Sequence, residues 1–186
     1  ILTPSVHCFD SVQRTDREVK LGSMVSVAIP KATGGLLVAT PTGLMTLDME
    51  SKTLSAFCHP ESERPGNRYN DGKCDRMGRL WIGTLDMGTA ANRDNLFHVD
   101  TDSSWRKMDS GITVSNGLGW SPDNRRMYFT DTVRRTIYVY DFDLYPGTIS
   151  NRRPSISPAS GAISAPYSAD RWLSTHRRSA SRCALA

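Results

Sequence analysis

Hydrophobic and polar residues alternate in short runs along most of the chain, which is the pattern of partly buried β-strands. Three such runs, GGLLVAT, GRLWIGT and RRMYFTD, recur at intervals of 44 residues (Leu36 to Leu80) and 47 residues (Leu80 to Met127). A second β-rich run follows each of them: GLMTLDM, NLFHVDT and TIYVYDF. No helix-length segment of 3.6-residue periodicity lies between them. The pattern therefore predicts an all-β chain built from a repeated antiparallel unit.

The repeat length indicates how these units are arranged. A four-stranded antiparallel sheet repeated at about 40 to 50 residues is typical of the blades of a β-propeller. A β-sandwich in which the spacing is accidental is the alternative fold.

Two asparagines occupy equivalent positions in successive units. Asn70 lies 10 residues before Leu80, and Asn116 lies 11 residues before Met127, where the turn is one residue longer. The first strand of each propeller blade lines the central channel, so we expect the two amides to converge there. The corresponding position in the first unit is Ser26.

Converging amide oxygens suggest a cation site, because neutral oxygens are ligands for calcium, magnesium and zinc. Two amides alone would bind weakly. The alternative is that Asn70-Asp71-Gly72 and Asn116-Gly117 are tight turns, in which asparagine tolerates positive φ.

The overall basic charge, with an isoelectric point near 9.0, is concentrated at the end of the chain. Residues 145–186 hold six arginines and one aspartate, which give this segment a net charge of +5, whereas the whole chain carries +4. The remaining residues 1–144 carry about −1, which argues against a basic groove for nucleic acid. No apolar stretch approaches the roughly 20 residues that cross a bilayer, and the first residues lack a signal-peptide pattern. We therefore predict a cytoplasmic protein with no nucleic-acid or membrane partner.

Two long segments resemble a known family. NRYNDGKCDRMGRLWIGTLD and SNGLGWSPDNRRMYFTDTVRRTIYVYDFDL are similar to motifs of the SMP-30/gluconolactonase/regucalcin family, and the resemblance covers residues 6–153. It implies a six-bladed propeller, of which about three to four blades are encoded here. It also implies one divalent cation on the axis (calcium, zinc, manganese or magnesium) and a sugar lactone as substrate.

The resemblance assigns roles to four residues. Asn116 matches the metal-binding asparagine of the family. Arg68 and Asn70 match substrate-contacting residues, and Asn70 is a second candidate metal ligand, directly or through water. Asp71 fits a supporting role that orients its neighbours.

The sequence also departs from the family pattern. The family's metal-binding glutamate is expected upstream of Ile1. The aspartate that acts as metal ligand and general base has no counterpart near residues 160–175, so we assign no catalytic residue. Residues 154–186 are rich in serine, arginine and alanine, and we interpret them as an irregular tail that is disordered or comes from a changed reading frame.

These observations predict a propeller domain over residues 1–153 and a tail over residues 154–186. The predicted function is metal-dependent hydrolysis of sugar lactones, impaired here by the loss of two metal carboxylates. The alternative is a non-catalytic propeller fragment that binds calcium or a partner. An open set of blades would also expose unpaired strand edges, through which copies of the chain could associate.

Other candidate residues have structural interpretations. Trp81 and Trp120 lie at strand positions, so we expect them in the core between blades. Cys58-His59 and His98 lack partners at metal-ligand spacing, and we predict surface or edge positions for them.

Overall fold

A computed structural model of the chain describes residues 4–88 and 92–157. Within these residues the chain forms fourteen β-strands and no helix. The strands are β1 (Ser5–Asp10), β2 (Thr15–Lys20), β3 (Val27–Pro30), β4 (Leu36–Thr40), β5 (Gly43–Leu47), β6 (Leu54–Cys58), β7 (Asn67–Cys74), β8 (Leu80–Asp86), β9 (Asp94–Val99), β10 (Trp105–Ile112), β11 (Ser115–Trp120), β12 (Arg126–Asp131), β13 (Thr136–Asp143) and β14 (Thr148–Ile156). The described part therefore contains no helix that could span a membrane.

The strands form one hairpin and three four-stranded sheets. Strands β1 and β2 pair with each other, and each sheet consists of four strands in chain order: β3–β6 (first sheet), β7–β10 (second sheet) and β11–β14 (third sheet). Every neighbouring pair is antiparallel. The predicted all-β repeat is thus confirmed, and the runs identified in the sequence are the two central strands of each sheet.

The sheets are stacked face to face, and the first and second sheets have a hydrophobic core on each face. In β8, Leu80 and Ile82 pack in one core with residues of the first sheet, whereas Trp81 packs in another core with residues of the third sheet. In β4, Leu37 lies in the core shared with the second sheet and Val38 in the core shared with the hairpin. A two-layer sandwich buries only one face of each sheet, whereas successive propeller blades have neighbours on both.

The first strands of the three sheets lie side by side. Strand β7 contacts β3 on one side and β11 on the other. This is the arrangement expected of strands that line a common axis. It places the polar residues of β7 directly beside those of β11.

Two sequence expectations can be checked directly against burial. Trp81 is fully buried and packs edge-on against Trp120, as predicted. The prediction for His98 is wrong: its side chain is 1% exposed and packs against the Trp81 ring. Burial and the nearby Arg79 and Arg106 lower the pKa of His98 to about 4, so it is neutral near pH 7.

The predicted boundary after Arg153 lies within a strand, because β14 continues to Ile156. Residues 158–186, which include most of the predicted tail, lie outside the described part of the chain, and the interpretation of that segment stays a prediction.

Candidate functional site

The predicted site residues lie at irregularities in two neighbouring strands. In β7 the ladder with β8 shifts register between Tyr69 and Gly72, so Asn70 and Asp71 have no paired residue on β8. In β11 the ladder with β12 shifts between Asn116 and Leu118. Such bulges re-aim side chains and are common beside functional sites. The alternative in which these residues form tight turns is therefore wrong, because they lie inside strands.

Side chains of β7 bond the main chain of β11 across the two sheets. The Asn70 Nδ2 atom donates to the Ser115 carbonyl oxygen at 2.6 Å. The Gly117 N–H donates to Asp71 Oδ2 at 2.7 Å. These two hydrogen bonds flank Asn116, so Asn70 and Asp71 fix the strand on which Asn116 lies.

Both oxygens of Asp71 are engaged by main-chain donors. Its Oδ1 atom accepts from the Gly72 N–H at 2.9 Å, in addition to the Gly117 bond to Oδ2. Burial raises the pKa of Asp71, and the two main-chain donors partly offset that rise because they stabilise the carboxylate. Asp71 thus holds main-chain groups of both β7 and β11, and its predicted supporting role stays a prediction.

Arg68 presents a half-buried guanidinium beside Asn70. Its Nη1 atom donates to Asn70 Oδ1 at 2.9 Å and to the Tyr69 carbonyl oxygen at 3.1 Å. Its Nε atom is buried and has no hydrogen-bond partner among the described residues. Burial lowers the pKa of Arg68, and no ion pair within residues 4–88 and 92–157 includes it. The guanidinium is therefore a positive group with unused donor capacity.

Asn116 differs from Asn70 in how its amide is used. The Asn70 side-chain oxygen accepts a hydrogen bond from Arg68, and its nitrogen donates one to the Ser115 carbonyl oxygen. The Asn116 side chain makes no hydrogen bond to any other residue that the structure describes. Of the two amide oxygens, the one on Asn116 is thus free to meet a ligand.

The described residues offer only part of a metal site. No group of three or more histidine, cysteine, aspartate or glutamate side chains that could hold a metal occurs in residues 4–88 and 92–157. Calcium takes six to eight oxygen ligands, and other divalent cations take about four to six. The free Asn116 oxygen fits one ligand position, and a complete site would need further ligands.

A buried polar cluster, not identified from the sequence, supports the start of β7. Glu61 is 3% exposed; its Oε1 atom accepts from Asn95 Nδ2 at 2.6 Å and from Thr84 Oγ1 at 3.3 Å. Its Oε2 atom accepts from Asn67 Nδ2 at 3.3 Å. These bonds join three strands of the second sheet next to Arg68. The sequence carries no signal for this cluster, because Glu61 and Asn95 are 34 residues apart.

Asp94 lies in the same region and is an unusual carboxyl group. It is fully buried, and its Oδ2 atom has no hydrogen-bond partner among the described residues. Burial raises the pKa of Asp94 to about 7, and the charges of Asp86, Glu61 and Asp131 also raise it. Its ionisation is thus opposed by both desolvation and charge repulsion.

The raised pKa of Asp94 leads to a prediction about pH and stability. The folded chain retains a proton that the unfolded chain loses near pH 4, so folding stability should fall as pH rises from about 4 to 7. Replacing Asp94 by asparagine should remove that loss. We expect Asp94→Asn to be more stable than the wild type by about 1 kcal/mol or more at pH 8 and by much less at pH 4. Urea unfolding at both pH values measures this difference, and a difference that does not change with pH would contradict the prediction.

Comparison with known proteins gives one family. The family model described as SMP-30/Gluconolactonase/LRE-like region matches residues 1–167. The Bacillus subtilis protein YvrE, provisionally named a sugar lactone lactonase, is 30% identical over 154 residues, which are 83% of this chain and 53% of YvrE.

Two solved structures share the fold. A luciferin-regenerating enzyme superposes with a TM-score of 0.79 and 28% identity, over 84% of this chain and 55% of that protein. Regucalcin from Agrobacterium tumefaciens, described as a calcium-binding protein, gives a TM-score of 0.75 and 25% identity, over 82% and 51% of the two chains. This chain spans about half the length of these relatives. The resemblance stated from the sequence is confirmed, and the chain belongs to the SMP-30/gluconolactonase/LRE-like family.

Proposed function

We propose that the chain carries part of a metal-dependent site for hydrolysis of sugar lactones. The observation that supports this most directly is the cross-strand arrangement of four polar residues. Arg68 bonds Asn70 on β7, and Asn70 and Asp71 bond the main chain on either side of Asn116 in β11. The family description names gluconolactonase, and a relative is named for a sugar lactone.

Arg68 and Asn70 form the substrate-binding part of the proposed site. The guanidinium donors of Arg68 that the described residues leave unused suit the hydroxyl and carbonyl oxygens of a sugar lactone. Asn70 holds Arg68 in place through its oxygen. Because both amide atoms of Asn70 are already engaged, we assign it to substrate positioning and Asn116 to the cation.

Asn116 would be one ligand of a divalent cation, whether calcium, zinc, manganese or magnesium. When bound, such a cation supplies Lewis-acid polarisation of the lactone carbonyl. Asp71 holds the Asn116-Gly117 segment through the Gly117 N–H and thereby sets the position of the ligand.

Lactone hydrolysis adds water to the carbonyl carbon and breaks the ring C–O bond, and a base must accept a proton from that water. Asp71 is the carboxylate that the described residues bring to the site, and main-chain N–H groups occupy both of its oxygens. These bonds stabilise its ionised form and direct both oxygens toward the main chain, so we do not assign it as the base. We propose that this polypeptide has little or no turnover of its own.

The cation role of Asn116 can be tested by calcium titration. We expect Asn116→Ala to weaken calcium binding about tenfold, because removing one oxygen ligand at a loss of about 1.4 kcal/mol lowers affinity by that factor. Gln13→Ala, which removes an exposed amide from the β1–β2 turn, is the matched control and should bind like the wild type. Equal calcium affinity in Asn116→Ala and wild type would contradict the proposed ligand.

A hydrolysis assay tests the proposed impairment. The chain is incubated with gluconolactone and added calcium, zinc or manganese, and ring opening is compared with the spontaneous rate. Turnover that disappears in Asn116→Ala would support the site but contradict the proposed impairment. Cation or lactone binding without turnover fits either an impaired hydrolase or a non-catalytic calcium-binding propeller fragment, which the engagement of both Asp71 oxygens also favours.

A further inference from the structure

Asn116 and Gly117 form the only Asn-Gly dipeptide in the sequence. This dipeptide is chemically labile, because glycine has no side chain to hinder attack by its own main-chain nitrogen on the preceding side-chain amide. The Gly117 nitrogen forms a bond to Asn116 Cγ, the bond from Cγ to Nδ2 breaks, and ammonia leaves. Water then opens the cyclic imide at either carbonyl to give aspartate or isoaspartate.

Two features leave the Asn116 side chain available for this reaction. Its amide is held by no hydrogen bond to another described residue. Gly117 falls at the register shift in β11, between the pairs Asn116–Thr130 and Leu118–Phe129, and has a φ of 55°. The ladder therefore does not fix the nucleophile as it would in a regular strand.

The Asp71 carboxylate opposes the reaction. Its Oδ2 atom accepts the Gly117 N–H at 2.7 Å, and attack requires this nitrogen to lose its proton. A carboxylate is far too weak a base to remove an amide proton, and its negative charge disfavours the amide anion that must form. The hydrogen bond also holds the nitrogen toward β7, on the neighbouring sheet.

We infer that Asn116 is a site of spontaneous deamidation and that Asp71 protects it across the interface between the second and third sheets. The modification would replace a neutral amide with a carboxylate or, as isoaspartate, lengthen the main chain of β11 by one atom. Either product changes the charge and geometry at the centre of the site. This inference does not depend on whether the site hydrolyses lactones.

Mass spectrometry of the Asn116 peptide tests the inference, because deamidation changes its mass whereas isomerisation of aspartate does not. The chain is incubated at mildly alkaline pH, both folded and in guanidinium chloride. We expect the folded wild type to deamidate at least about tenfold more slowly than the unfolded chain, and folded Asp71→Ala to lose most of that protection, since a hydrogen bond to a charged group is strong enough for such a factor. Asp123→Ala removes an exposed aspartate that also accepts a main-chain N–H and should behave like the wild type.

Three results would overturn the inference. The folded wild type could deamidate as fast as the unfolded chain, or Asp71→Ala that still unfolds cooperatively could keep the wild-type rate. The third result needs no variant: rapid hydrogen exchange of the Gly117 amide in the folded wild type would show that its N–H is not held. That measurement decides the matter even if Asp71→Ala fails to fold.

Discussion

Replacing Arg79 by alanine is expected to destabilise the fold by about 3–5 kcal/mol, because it leaves the Asp75 carboxylate buried without its cation. The side chains of Arg79 and Asp75 are 8% and 0% exposed, and Arg79 Nη2 lies 2.7 Å from Asp75 Oδ2. The Trp81 Nε1 atom donates to the same oxygen at 3.1 Å. Chemical denaturation of Arg79→Ala and wild type at one pH measures the loss of unfolding free energy.

An exposed ion pair provides the control for this prediction. Arg153 and Asp141 are 43% and 47% exposed and lie 2.8 Å apart. Removing that pair with Arg153→Ala should change stability by no more than about 1 kcal/mol, because solvent screens exposed charges. Comparable losses in the two variants would show that burial of the Arg79–Asp75 pair does not determine its effect.

Replacing Gly83 by alanine should destabilise the chain by about 3 kcal/mol or more, which is the upper range for overpacked cores. An added Cβ at Gly83 would lie 1.6 Å from Ser115 Oγ and 2.3 Å from Ser115 Cβ. Rotation of the serine side chain could relieve the first contact but not the second. The backbones of β8 and β11 would have to move apart at the base of the candidate site.

A second substitution gives this prediction a sharp test. Ser115→Gly removes both atoms that collide with the new methyl group, so Gly83→Ala combined with Ser115→Gly should be more stable than Gly83→Ala alone. Urea unfolding of the wild type, the two single variants and the double variant measures the coupling. Additive losses would contradict the proposed collision.

The central strands of each sheet could be predicted from the sequence because they alternate apolar and polar residues and are amply buried. The first strands could not be predicted as easily. Strand β7 has the sequence NRYNDGKC, which is mostly polar because one side of the strand carries the candidate site. Its bulge also interrupts the two-residue period on which strand prediction depends.

The candidate site was predicted in part. The repeat predicted that Asn70 and Asn116 lie on adjacent strands, and the family resemblance added Arg68 and Asp71. In the structure all four lie on β7 and β11, which hydrogen bonds of Asn70 and Asp71 join. Their hydrogen-bond partners could not be predicted, because Ser115 and Gly117 contribute main-chain atoms that carry no sequence signature. Their roles in metal and substrate binding stay proposals.

The error at His98 has a physical explanation. Without a metal partner at a recognisable spacing, a histidine in a sequence is most simply placed at the surface. Here His98 pairs across the second sheet with Trp81 and Arg106. The β13–β14 turn of the third sheet also approaches it, since an added Cβ at Gly147 would lie 2.9 Å from His98 Nε2, and this approach depends on how the two sheets meet. The pattern of residues along the chain does not show how these two sheets pack against each other.

Arg79 also links the second and third sheets through hydrogen bonds. It belongs to the second sheet, yet its guanidinium donates to the carbonyl oxygens of Leu144 and Tyr145, in the turn that joins β13 and β14 of the third. Gly147 in that turn comes so near that an added Cβ would lie 2.7 Å from Arg79 Nη1. If the third sheet opened alone, a buried cation would lose two of its acceptors, which is costly in a desolvated setting. We therefore expect the two sheets to open as a single cooperative unit, with no stage at which a protease can cleave one while the other stays closed.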